Sequence, residues 1–415
     1  MTTVLTGGLP YAPGAILGGT RDHLRKLEVA WGHVRRRREA GLPLHNVSGL
    51  ERGLPMPVGT PAWELDDEWA GALYDGRVRE LGLAHLGGTP GEHDVFAANR
   101  TTAALFAALQ VTVRPGSDVI GVSPSYSHPA VVRGVRDAGG RLVEAAGADA
   151  FEAALGTVTD LSVVVVTRLA VTYEALPESD LRQVIDGAHR RGALVVVDDA
   201  GGARVGPAVL GQPRTLELGA DLGATGLDKY GVAGPRVGLL GGRADLVAKA
   251  RARAFELGSE CRPVLYPAVA ACLAAYRPER VRELVAVTRE VGDALRARLG
   301  DAVEATPFIT RLPGEAVLAE LTARSGRPRL DLAPVEATAA LAMVLLRDHG
   351  LLTVHFAGMP PGTSALLIKF LPPETVAALG GPAVFADAVV TALRTAAEEV
   401  ATPESARRLL HGPDV

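Results

Sequence analysis

VVVDDAGGARVGPAVLGQPRTLELGADLGATGLDKYGVAGPRVGLLGG, residues 195–242, holds the two features around which the rest of the chain is organised. An apolar run, Leu194 to Val197, stops at two carboxylates, Asp198 and Asp199, as a buried parallel strand does where it delivers charge to a site. One loop later, Lys229 stands between Asp228 and Tyr230 and ahead of a glycine-rich segment, GVAGPRVG. That setting suits a shaped pocket better than a solvated helix face, and a desolvated lysine is the neutral amine that attacks an aldehyde.

An acid at a strand end with a lysine one loop on points to pyridoxal 5'-phosphate. This cofactor needs an amine for its aldehyde and a carboxylate on its pyridine nitrogen, and Lys229 and Asp198 supply both. On these two residues alone the plainer alternative, a turn-capping Asp198 and a surface Lys229, stays open. The remainder of the chain has to decide.

With 415 residues, 47% of them hydrophobic and 22% charged, the chain suits a large domain joined to a smaller one. Aromatic residues make up only 4%, so the core must rest on Ala, Val and Leu. A net charge of −4 gives no general field for nucleic acid, and the basic run Arg35 to Arg38 reads as a solvated helix face. Cys261 and Cys272 are too few for a disulfide framework and lack metal-ligand spacing, so they are expected as buried thiols in a reducing compartment. The start of the chain lacks the basic end and apolar core of a signal peptide, and no long uncharged apolar run occurs. No membrane association and a cytoplasmic location are therefore expected.

Three parts are expected in order: an arm and helix over 1–45, a large cofactor-binding domain over 46–277, and a spine helix with a small domain over 278–415. In VFAANRTTAALFAAL a short apolar run ends at Asn99-Arg100-Thr101-Thr102 and a helix begins, with Thr101 or Asn99 as its N-cap. Free N–H groups at such a start make an anion site, although simple capping would look the same. Strands and helices then alternate through ALVVVDDAGG, which predicts right-handed crossovers in a mostly parallel sheet. Ligands of such sheets bind beyond the carboxyl ends of the strands, and Asn99 to Thr101, Tyr126 to His128, Arg168, Asp198 and Lys229 all fall there. His128 in SPSYSHP can lie flat on an aromatic ring or be a loop histidine bonded to backbone. Ala200 and Gly201 are small enough to let a ring pack close. In the last part LLTVHFAG and ALLIKFLP read as strands; Lys369 sits at an alternate position of the second and is costly to bury without an anion, and His355 on the first is a weaker candidate of the same kind.

Together GEHDVFAANRTTAALFAAL, PSYSH, VVVDDAGG, GADLGATGLDKYGVAGPRVGLLGG and SECRPVLYPAVAACLAAY resemble the fold type I pyridoxal-phosphate enzymes, the aspartate aminotransferase superfamily, over residues 46–400. Within it the chain looks most like the branch of selenocysteine synthase and the sugar-acid ammonia-lyases. The resemblance implies an α/β fold: a large domain with a mostly parallel seven-stranded sheet, and a smaller C-terminal α+β domain. It implies pyridoxal 5'-phosphate bound to Lys229 as a Schiff base, with Asp198 on the pyridinium nitrogen, Ala200 beneath the ring and His128 stacked over it. Arg100 and Thr101, beside Asn99, would hold the phosphate together with Thr225.

Lys369 falls where many relatives place an arginine for the substrate carboxylate. A lysine offers a point charge where arginine offers a fork, so Arg168 is a second candidate for that part. Where many relatives carry a histidine, this chain has Gly201, and the negative net charge argues against a transfer RNA substrate. The activity implied is α,β-elimination or β-replacement on an amino acid or amino-sugar acid, by a lyase or transferase. Retro-aldol cleavage of a β-hydroxy amino acid and transamination are the alternatives, and a non-catalytic protein that only holds the cofactor is the alternative outside enzymes. The superfamily habit implies a homodimer acting on a small molecule.

Overall fold

Val163, Val164, Val165 and Val166 are all fully buried, and the side chains alternate between two cores. Branched residues enclosed on both faces are what the middle of a parallel sheet demands, each contributing roughly 1.5–3 kcal/mol by burial. The computed structural model describes residues 11–358 and 360–413. They form two compact units, one from Glu51 to Arg282 and one from the residues up to Leu50 together with those from Glu283 onward. The first ten residues of the glycine- and proline-rich start lie outside the described residues.

The second of these units begins with helix α1 (Thr20–Glu39) and the short strand β1 (His45–Asn46). Arg37 of α1 donates to the carbonyls of Arg347 and Asp348, so this helix packs with the C-terminal residues.

The unit from Glu51 to Arg282 contains helix α2 (Asp67–Leu86), strand β2 (His93–Ala98), helix α3 (Thr101–Thr112), β3 (Asp118–Ser123), helix α4 (Pro129–Asp137), β4 (Arg141–Ala146), β5 (Leu161–Thr167), β6 (Leu194–Asp198), β7 (Leu222–Gly226) and β8 (Gly238–Arg243). The seven strands β2 to β8 form one sheet in the order β2-β8-β7-β6-β5-β3-β4. Pairing is parallel from β7 through β6, β5 and β3 to β4, and only β8 runs against its two neighbours. This is the mostly parallel seven-stranded α/β sheet expected. Helix α2 runs to Leu86, and Gly87 terminates it in the left-handed region at φ 78.

In the other unit β10 (Ile309–Leu312) pairs antiparallel with both β9 (Glu304–Ala305) and β12 (Leu366–Lys369), while β11 (Leu351–Leu352) lies parallel to β1. The helix Pro334–His349 is buried along nearly its whole length. LLTVHFAG is not the long strand expected: β11 stops at Leu352, and His355 lies on a 3-10 turn, Val354–Phe356. No single helix among the described residues is long and apolar enough to cross a membrane, although the bent pair Pro373–Leu379 and Pro382–Glu399 together meet that length and composition.

Lys26 of α1 is 0% exposed; its ammonium donates to the His355 carbonyl at 3.0 Å and lies 5.6 Å from the centre of the Phe356 ring. Burial pushes its pKa down to about 7. Between about pH 7 and 10 the unfolded chain holds this proton more tightly than the folded one, so the cost of burial is fully present at the lower end and fades toward the upper. Lys26→Met is therefore expected to raise stability at about pH 7 by about 1–4 kcal/mol, and by less near pH 10. Thermal melts at the two pH values check this, and a variant that melts below the parent at both would contradict it.

Candidate active site

Asp198 ends β6 at the carboxyl edge of the sheet, opposite Thr167 of β5 and Ala224 of β7. Lys229 follows the end of β7 in the next turn, and the reversed strand β8 brings Gly238 back to the same edge, opposite Gly226 and Ala98. Two glycines floor this edge. A Cβ on Gly238 would lie 2.5–2.6 Å from the backbone of Arg100 and Thr101, and one on Gly226 would lie 2.5 Å from Thr101 Oγ1 and 3.0 Å from Lys229 Nζ. The first turn of α3 therefore rests directly on β7 and β8, and Lys229 Nζ donates to Thr101 Oγ1 at 3.4 Å.

The charges at this edge are desolvated. Asp198 is 3% exposed; it accepts the Ala200 N–H at 3.3 Å, and among the described residues it has no ion-pair partner. Burial raises its pKa to about 6, against the opposing pull of Lys229 and the Ala200 N–H. Burial likewise lowers the pKa of Lys229, with Asp228 pulling it back up and Arg204 pushing it further down. His128 caps α4, its Nδ1 accepting the Ala130 N–H at 3.0 Å, so the neutral ring carries its proton on Nε2. Burial, helped by Lys229 and Arg133, lowers the pKa of this imidazole to about 4.

Several expectations need correction. The N-cap of α3 is Arg100, with extended backbone and no side-chain cap, in place of Thr101 or Asn99. Asn99 is exposed and donates its N–H to the Ser259 carbonyl at 2.9 Å. The helix start thus keeps its N–H groups free of a side-chain acceptor, which strengthens its case as an anion site. Thr225 is buried in β7, its hydroxyl 3.4 Å from the Ala200 carbonyl, and Ala200 is half-buried just past Asp198.

Arg168, a candidate for substrate carboxylate, is turned away from that part. It is 1% exposed, with Nη2 2.9 Å from Asp199 Oδ2 and Nη1 donating to the Pro213 carbonyl at 2.8 Å. Thr215 adds a hydroxyl to the same Asp199 oxygen at 2.6 Å. A guanidinium so enclosed secures the second carboxylate of the Asp198-Asp199 pair. Lys369 and His355 belong to the other unit. There Lys369 is buried opposite Ile309, against Gly49, whose Cβ would stand 2.3 Å from the Lys369 carbonyl oxygen. His355 is buried with Nε2 3.1 Å from the Ala365 carbonyl oxygen, and burial pushes its pKa down to about 3.

Sequence reasoning missed Tyr173, Tyr230, Arg204 and Arg236. Tyr230, next to Lys229, has φ 48, and Tyr173 has φ 64; their buried hydroxyls lie 2.5 Å apart. A Cβ at Gly201 would stand 2.3 Å from the Tyr230 ring, so the aromatic ring takes the space that a side chain at that position would need. Arg236, exposed just ahead of β8, feels the charges of Arg52, Arg100 and Asp228. The run GVAGPRVG contained the signal for Arg236, a lone cation in the loop that returns to the site; nothing in sequence announces a tyrosine at positive φ.

A buried carboxylate without a counter-ion, a desolvated amine and an uncapped helix start over bare glycines form the donor set that pyridoxal phosphate requires of a protein. Residues 90–375 match the family described as aminotransferase class I and II. The chain belongs to this family. It is 33% identical over 327 residues to a pyridoxal phosphate-dependent protein of Methanothermobacter thermautotrophicus, covering 78% of this chain and 80% of that one. A second protein of the same description, from Methanosphaera stadtmanae, is 30% identical over 320 residues, covering 76% and 80%. Among solved structures, the aspartate aminotransferase from Rhizobium meliloti superposes with a TM-score of 0.54 at 18% identity over 89% of this chain and 95% of that one. The alanine–glyoxylate aminotransferase from Nostoc sp. gives 0.56 at 15% identity over 86% and 96%. These likenesses are of fold: this aminotransferase-family chain is a fold type I protein, and its cofactor is pyridoxal phosphate.

Because the folded chain without cofactor holds a proton on Asp198 up to about pH 6 and the unfolded chain releases it near pH 4, stability falls across that interval. The loss is roughly 2–3 kcal/mol above it. Asp198→Asn is expected to raise the melting temperature of the cofactor-free chain at about pH 8, leave it nearly unchanged near pH 4, and weaken retention of the cofactor. Melting below the parent at the higher pH would contradict a buried, unpaired acid.

Proposed function

We propose that this protein is a pyridoxal-phosphate enzyme that labilises the α-carbon of an amino acid or amino-sugar acid, and that its reaction is α,β-elimination or β-replacement. The observation that carries the reading is the meeting of the Lys229 amine and the buried, unpaired Asp198 carboxylate at one sheet edge. When bound, pyridoxal phosphate supplies an aldehyde and a ring that draws electrons from the substrate's α-carbon.

The protein's own groups do the rest. Lys229 would bind the aldehyde and, displaced by a substrate amine, would accept the α-proton; burial, which lowers its pKa, favours the neutral amine that this role needs. Asp198 would hold the proton on the ring nitrogen. His128, uncharged above about pH 5, would cover the ring without bringing a charge to it, and Ala200 would leave room for the ring to pack close. Thr101, Arg100 and the free N–H groups of α3 take the phosphate, with Asn99 and Thr225 close by. The working form in this proposal is a cytoplasmic homodimer acting on a small molecule.

Transamination is the second reading, supported by the name of the matched family and of the two aminotransferases that share the fold. It ranks second because exchange between two acids calls for a firm fork on the carboxylate, and Arg168 is committed to Asp199.

The test is to load the purified chain and offer amino acids and amino-sugar acids singly. Keto acid with ammonia supports elimination, aldehyde with glycine supports retro-aldol cleavage, and pyridoxamine phosphate supports transamination. Lys229→Ala is expected to lose the absorbance near 410–430 nm and to slow turnover by at least about a thousandfold. Equal turnover by parent and variant would end the proposal, and a loaded chain whose spectrum responds to no substrate would favour the non-catalytic alternative.

A further inference from the structure

One arginine behind the site is left without a carboxylate. Asp199 is paired with Arg168 at 2.9 Å and Asp228 with Arg52 at 3.2 Å. Arg204 is 0% exposed, and among the described residues no carboxylate lies within ion-pair distance of it. Its Nη2 donates to the Ala200 carbonyl at 2.6 Å, its Nη1 lies 3.2 Å from His85 Nε2, and its Nε has no partner. His85 is neutral, its pKa lowered to about 3 by burial and by Arg204 and Arg214, so it accepts this bond without cancelling the charge. A buried guanidinium hydrogen-bonded only to neutral acceptors, with Asp199 and Asp228 acting on it from beyond ion-pair distance, has its pKa lowered by burial; it is unfavourable to folding, and its presence calls for a use of its field or of its hydrogen bonds.

Both lead to the same place. The Ala200 carbonyl that Arg204 holds also receives the Thr225 hydroxyl at 3.4 Å, and the N–H of Ala200 donates to Asp198 at 3.3 Å. Beside Thr225 is Gly226, whose Cβ would stand 3.0 Å from Lys229 Nζ. Asp228 and Asp198 favour a charged Lys229, while Arg204 and Arg236 oppose it in addition to burial. Arg236 keeps exposed surface, and Asp228 is engaged by Arg52. Arg204 is the enclosed cation among them.

We propose that Arg204 is a positioning residue for both the amine and the acid: its charge disfavours a second cation at Lys229, and its bond to the Ala200 carbonyl aims the Ala200 N–H at Asp198. This rests on the reading that Lys229 is the cofactor-binding amine, and it adds a buried counter-field that opposes charge on that amine before any ligand arrives.

The experiment uses the full-length chain freed of cofactor, labelled across a pH series with an amine-directed acylating reagent and read peptide by peptide by mass spectrometry. The exposed Lys249 serves as internal standard. Lys229 in the parent is expected to label with a midpoint well below that of Lys249. Arg204→Gln keeps a donor but removes the charge, and is expected to move the midpoint up so that labelling at about pH 8 falls on the order of tenfold. Arg204→Lys keeps the charge and is expected to keep the parent's profile. A folded Arg204→Gln protein whose Lys229 labels as the parent's does would overturn the proposal. Should Arg204→Gln fail to fold, Arg204→Lys decides: the parent's profile supports the proposal, and the profile of an ordinary lysine refutes it. Loading the parent with cofactor separates the two readings. If Lys229 labels as freely with cofactor as without, the proposed function fails, while the labelling profiles still measure what Arg204 does to the amine.

Discussion

A carboxylate taken out of water without a counter-ion is the constraint on which this structure turns. Asp198 is delivered by a Leu-Val-Val-Val strand whose neighbours on both sides are buried, and among the described residues no cation lies within ion-pair distance of it. An isolated acid in that position is unfavourable unless something cationic is to arrive, and in the proposed function the protonated ring nitrogen of pyridoxal phosphate is that cation. The sheet order serves the same end. Parallel β5, β6 and β7 finish at one edge, and the reversal of β8 returns Arg236 and Gly238 to it.

The small residues then explain how closely the parts approach. Gly226 and Gly238 let the start of α3 sit on the strands, so that the amine of Lys229 and the hydroxyl of Thr101 share one small volume. Gly201 accommodates the ring of Tyr230, whose left-handed backbone sets the chain direction just after Lys229. Burial, Arg204 and Arg236 oppose charge on Lys229 while Asp228 and Asp198 favour it. The site therefore holds its amine and its acid close without letting them settle into a simple ion pair.

Much of this was legible in the sequence, because the signals were local. A valine run ending in two acids can only be a strand end, and alternating strands and helices at that spacing imply the crossovers that bring such ends together. Asp198, Lys229, His128 and Thr101 could be singled out as candidates before any coordinates for that reason, whereas Thr225 rested on the family resemblance. What was not legible depended on partners far apart in the chain. Arg168 looked like a substrate ligand because it ends a strand, yet its position is fixed by Asp199 and Pro213, which sequence does not join to it. The α3 cap was misplaced because capping preference favours Asn or Thr over Arg, and the helix starts on Arg100 with no side-chain cap. His355 was read as part of a strand from its apolar neighbours, whereas a carbonyl bond from Lys26, more than three hundred residues earlier, meets it on a 3-10 turn.

The chain has only four lysines, Lys26, Lys229, Lys249 and Lys369, which makes the central claim open to a direct measurement. Borohydride reduction of the cofactor-loaded protein fixes the cofactor to the amine that holds it, and mass spectrometry of the digest then reports which lysine carries the added mass. The account predicts the whole of that mass on the peptide containing Lys229; the label on Lys26, Lys249 or Lys369 instead would contradict it.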